Sequence, residues 1–191
     1  MADRTTIRLA LALNAAMFVI GLVAGFLAQS TGVLADALDM GTDAVSYALA
    51  LAAVTRSARF KVNAARWTGG VLIVLGAGIV VDVVRRGIFG SEPVGLTMMA
   101  YSILSFAVNV YVLMRLSKFR HGEVHLRATY LCTRADVMAS IAVFLSGAVV
   151  AVTGLRFVDL LVGLGIGVYV LHEAWEILEQ ARGEAAEPEE A

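Results

Sequence analysis

An apolar run from about Thr31 to Val54 carries three carboxylates, in the stretch Asp36-Ala37-Leu38-Asp39-Met40-Gly41-Thr42-Asp43. The run is long enough to cross a bilayer, which takes roughly 20 residues. A charge at that depth costs about 2.5–3.5 kcal/mol on insertion scales, so a helix that keeps three needs something to offset them. Asp39 and Asp43 are i,i+4 neighbours and stack on one helix face, with Asp36 a turn earlier on nearly the same stripe. A metal cation is the economical partner for Asp39 and Asp43. For Asp36 a second reading stays open, a pairing with a basic residue elsewhere in the bundle.

The rest of the chain fits a membrane setting. It is 59% hydrophobic and 16% charged, where soluble domains run near 45–50% and about 25%. Fifteen basic and sixteen acidic residues nearly cancel, so net charge points to no nucleic-acid partner. The single cysteine, Cys132, has no mate for an internal disulfide. The first apolar run is too long for the core of a cleavable signal peptide.

Six apolar segments follow one another, at about 9–28, 32–54, 68–84, 95–114, 128–153 and 157–178. They predict an all-α membrane protein: one bundle of six transmembrane helices over residues 1–182, with no second domain. The acidic stretch 183–191 is expected to be a disordered tail. With the N-terminus inside, eleven Lys and Arg fall in the inner segments and three (Arg85, Arg86, Arg156) in the outer links. That bias predicts both termini in the cytoplasm.

Within the segments, Asn14 is the one polar residue deep in the first. It bonds across to helix 2 or serves as ordinary small-polar packing. Gly69, Gly70, Gly76 and Gly78 suit helix 3 to a dimer contact or to close packing inside one chain. Helix 6 carries a GxxxG pair at Gly163 and Gly167 and ends in Glu173, Glu176 and Glu179, read as a helix emerging into the cytoplasm. Asp82 and Asp159 are expected near the interface. His121 and His125 lie in the inner link between helices 4 and 5, either collecting metal there or simply solvated.

Helix 5 supplies a second ligand pair in Leu131-Cys132-Thr133-Arg134-Ala135-Asp136. Cys132 and Asp136 are again i,i+4. If helices 2 and 5 face each other, Asp39, Asp43, Cys132 and Asp136 make four mixed oxygen and sulfur donors, suited to tetrahedral Zn2+ first and Cd2+ beside it. Cys132 is equally readable as a small buried hydrophobe. The apolar boundaries set the two pairs at different depths, a stagger of roughly 12 Å at 1.5 Å per residue. Arg134 points away from the ligand face, either snorkelling to the interface or pairing with a carboxylate such as Asp36. Ser140 packs, or supports Asp136 by a hydrogen bond.

These motifs resemble the cation diffusion facilitator family. Its Leu-Ala-Asp-x-x-[His/Asp]-x-x-x-Asp segment on helix 2 is matched by Leu34 to Asp43, and its [His/Asp]-x-x-x-Asp segment on helix 5 by Cys132 to Asp136. The resemblance covers about residues 7–180. It implies a homodimeric inner-membrane transporter that exports divalent transition metals, commonly zinc or cadmium, in exchange for protons by alternating access. Carried over by position, the transport site is Asp39, Asp43, Cys132 and Asp136. Three departures stand out. Cys132 replaces His or Asp, Gly21 stands where the family often has an acidic residue, and the sequence stops just after helix 6. That last feature resembles the short branch without a cytoplasmic C-terminal domain, whose dimer contact would fall to the membrane helices. An enzyme is set aside, because no nucleophile–base pair or phosphate loop is present. The remaining alternative is a non-transporting sensor or interaction protein with a structural metal site.

Overall fold

A computed structural model of the chain describes residues 4–52, 58–117 and 124–186, with side chains left out at 58, 61, 124–132 and 184–186. Six helices make up nearly all of it: α1 (Arg4–Leu27), α2 (Thr31–Ala52), α3 (Ala58–Phe89), α4 (Gly95–Leu116), α5 (Val124–Thr153) and α6 (Arg156–Ala186). Five are long and apolar enough to cross a membrane. The sixth, α2, is 22 residues long, and its three aspartates set it apart from the others.

The helices outrun the apolar spans because hydropathy marks membrane depth, not where hydrogen bonding stops. α3 begins ten residues before 68, through a segment of Arg, Lys and Ala that forms helix as readily as its apolar part. α6 passes Gly183, where the tail was expected to begin, and runs to Ala186; residues 187–191 lie outside the described set. α3 and α5 end on glycines in the left-handed region, Gly90 (φ 93°) and Gly154 (φ 69°). Their N–H groups donate to Arg86 O at 2.9 Å and Val150 O at 2.8 Å, the usual way to satisfy a helix's last carbonyls.

α1 pairs with α2, α3 with α6 and α4 with α5, while α2 touches all five other helices. Every residue from Thr31 to Thr42 is buried, so α2 is the axis of the bundle. Glycines set the approach distances. A Cβ on Gly163 would meet the backbone of Thr31 at 2.7 Å, and one on Gly167 would meet Ile79 at 2.9 Å. The GxxxG pair of α6 is therefore spent inside the chain, on α2 and α3. On α3, Gly69 and Gly76 pack against α6, whereas Gly70 and Gly78 face open space.

The end of the bundle that holds the α1–α2 turn is tied together by polar contacts. Ser30 caps α2 by accepting from Val33 N. Asp159, in the first turn of α6, is 0% exposed. It accepts from Thr31 N at 2.8 Å, Gly32 N at 3.0 Å and the Ser30 and Thr31 hydroxyls. A carboxylate from a distant helix thus takes up N–H groups that an isolated α2 would leave unpaired. Asp82 bridges Arg85 at 2.6 Å and also Arg86. Arg86 in turn donates to Gln29 O, at the turn where Gln29 holds a left-handed φ of 48°.

Candidate metal centre

Asp36, Asp39 and Asp136 are 1%, 4% and 5% exposed, and Asp43 is partly exposed. The packing of α5 on α2 brings Asp136 close to Asp39 and Asp43. The roughly 12 Å stagger expected from the apolar spans is therefore absent for Asp136. α5 starts at Val124, four residues before the apolar run at 128, which moves Asp136 toward mid-helix. One turn further on, the Tyr47 hydroxyl stands 3.5 Å from Thr133 Oγ1, continuing the same register. The approach is pairwise: among the described residues no three His, Cys, Asp or Glu side chains are gathered as a ready metal group. The side chains of Cys132 and His125, and all of His121, lie outside the described residues.

Asp36 has a different environment. Its Oδ2 accepts from Tyr101 Oη at 2.9 Å and Ser105 Oγ at 2.8 Å. Two hydroxyl donors from α4 offset its burial, and Arg134 is exposed, so the pairing expected of Arg134 with Asp36 is not formed. Ser105 continues the network to Ser140 at 2.9 Å, and Ser140 Oγ also lies 2.9 Å from the backbone oxygen of Asp136, in donating geometry. That bond runs to the backbone one turn back in α5, not to the Asp136 carboxylate. Asn14 does not bond across to α2; its Nδ2 donates to Ala10 O in its own helix at 3.0 Å.

The sequence reading missed Glu173. It is partly buried on α6, and its charge acts on Asp39, Asp43 and Asp136 alike. α2 and α6 run parallel, with Gly163 against Thr31 and Gly32 against Asp159 and Val162; continuing that register brings Glu173 level with Asp43. One signal could have found it. Gly163, Ile166, Val170 and Glu173 recur at helical spacing on one stripe, so Glu173 belongs to the buried face as much as to the acidic helix end.

Similarity to other proteins points the same way as the carboxylates. The cation efflux transmembrane domain family matches residues 7–183. The metal cation efflux system protein CzcD of Cupriavidus metallidurans is 24% identical, over 94% of this chain and 60% of its own length. The zinc transporter ZitB of Yersinia pestis is 26% identical, over 94% and 62%. The cadmium, cobalt and zinc/H(+)-K(+) antiporter of Bacillus subtilis is 25% identical, over 85% and 57%. The chain thus spans about 60% of the length of these curated relatives.

Proposed function

The chain belongs to the cation efflux family, a family of multi-pass inner-membrane proteins, and from that premise we propose that it exports Zn2+, with Cd2+ as a second substrate, by proton antiport. The observation that carries this reading is the meeting of Asp136 with Asp39 and Asp43 in the middle of an apolar bundle. Buried carboxylates that approach one another in pairs cannot all stay charged without a cation nearby. A proton and a divalent metal are the two candidates, and their competition for the same oxygens is what an exchanger needs. Cys132, one turn from Asp136, is the fourth ligand of the proposed site.

In this reading residues 1–182 form one transport unit of six spans with both termini in the cytoplasm. The Lys and Arg bias supports that orientation, and Asp82 and the Gln29 carbonyl take up two of the three outer arginines, Arg85 and Arg86. Metal enters from the cytoplasm onto deprotonated carboxylates, the bundle rocks, and protons arriving from the other side displace it. Two copies pair through α3, whose Gly70 and Gly78 leave room for a close approach.

Metal flux in proteoliposomes holding a zinc-sensitive dye tests this, with and without a pH gradient, in wild type and Asp43→Ala. Zinc movement driven by the gradient and lost in Asp43→Ala is expected. Tight binding without flux would instead make the site structural or sensory.

A further inference from the structure

Among the buried polar atoms without a hydrogen-bond partner in the described residues are Asn14 Oδ1 on α1, Asn109 Oδ1 on α4 and Asp136 Oδ2 on α5. Asn14 is 0% exposed and Asn109 1%. In each asparagine the amide nitrogen is already committed, Asn14 Nδ2 to Ala10 O at 3.0 Å and Asn109 Nδ2 to Ser140 Oγ at 3.2 Å. The carbonyl oxygen is what each amide has left over. Leaving one such buried acceptor unsatisfied costs roughly 1–3 kcal/mol.

Helix register brings these oxygens to one depth. α1 runs antiparallel to α2, with Gly25 against Leu34, Gly21 against Ala37 and Phe18 against Gly41. One further turn sets Asn14 opposite the Asp43 turn. Gly21 also faces Tyr101 of α4, and Asn14, seven residues back on the same stripe, shares that α2–α4 side. On α4, Tyr101 and Ser105 reach Asp36, so Asn109, one turn on, is level with Asp39 and Asp43. Its bond to Ser140 holds it one turn from Asp136. A bound cation would give these acceptors and the carboxylates at the same depth a common partner.

We propose that Asn14 and Asn109 give their side-chain carbonyl oxygens to the cation held by Asp39, Asp43 and Asp136. With the three carboxylates they make five oxygen-bearing ligands, so an oxygen-preferring ion need not use the Cys132 sulfur. The site then accommodates six-coordinate, oxygen-preferring divalent ions, with Mn2+ as the type, beside four-coordinate Zn2+. This inference rests on the metal-exporter reading.

The test compares equilibrium binding of Mn2+ and Zn2+ to detergent-purified protein, alongside flux, for wild type, Asn14→Leu, Asn109→Leu, Asn14→Asp and Asn109→Asp. Leucine approximates the volume without the oxygen, and aspartate keeps an oxygen. Each leucine variant is expected to weaken Mn2+ binding about tenfold or more, a cost typical of losing a group that supports a metal. Zinc binding should shift less than about threefold, under 0.7 kcal/mol, and the aspartate variants should hold Mn2+ at least as tightly as wild type. Three outcomes would overturn the proposal: leucine variants that bind Mn2+ normally, equal losses for both ions, or a wild type that binds Zn2+ but not Mn2+. If the leucine variants do not elute as folded protein, the aspartate variants decide alone, retained Mn2+ binding supporting the proposal and lost binding overturning it. Failure of the exporter reading would show separately, as wild-type zinc binding without flux.

Discussion

Asp39 and Asp136 are both buried at the packing of α2 on α5, and the proposed site uses them as a unit. Asp39→Asn or Asp136→Asn should cut zinc flux about a hundredfold or more while leaving the helices folded, because removing one member of a unit costs nearly as much as removing all. Circular dichroism beside the dye assay separates the two effects. Glu173→Gln should be milder. It removes a nearby charge and leaves the proposed ligands in place, so metal binding should weaken about tenfold, or 1.4 kcal/mol; unchanged binding would remove Glu173 from the site. That Asp39, Asp43 and Asp136 lie inside the helical bundle was legible in sequence, because they sit within apolar runs; their role as ligands is the proposal. Glu173 was not legible, because Glu176 and Glu179 made it look like part of a solvated helix end. Asp159 was hidden for a related reason: its position near a span boundary allowed an interfacial reading, and only the packing of α6 on α2 shows what it binds. Cys132 stays where the sequence left it, at the matching spacing with its side chain undescribed.

α2 was legible as a helix and as the apolar run with three aspartates, but its place at the centre of the bundle was not. Centrality depends on which faces meet, and twelve consecutive buried residues carry no periodic signal. Two contacts fix that place. Gly163→Leu should drive a wedge between α2 and α6, since even a Cβ there meets Thr31 backbone at 2.7 Å. Loss of several kcal/mol or failure to fold is expected, read as thermal stability in detergent. Asp159→Ala should strand the Thr31 and Gly32 N–H groups, at about 1–3 kcal/mol each, whereas Asp159→Asn should retain part of that loss by keeping one acceptor oxygen. The same two variants act at the far end of α2 from Asp43, so they separate the helix's anchoring from its chemistry.

At the scale of the whole molecule, the proposed orientation makes a simple claim. Reporters fused to either end should read as cytoplasmic, and an extracellular signal from one alone would refute an even number of spans. The pH dependence has a definite sign. Protons and metal compete for the same carboxylates, so acid on the side where metal is loaded should slow transport, and acid on the opposite side should speed it. Swapping the direction of an imposed gradient across one set of proteoliposomes checks both halves. The clasp of Asp159 on the start of α2 reaches across 128 positions of the chain, and it has a consequence for biosynthesis. A ribosome finishes α2 long before it makes the residue that closes α2's first turn, so the helix with three aspartates waits, open at one end, until α6 arrives. Assembly of the centre then waits for α6, and a chain cut short before α6 would leave the start of α2 open to membrane quality control.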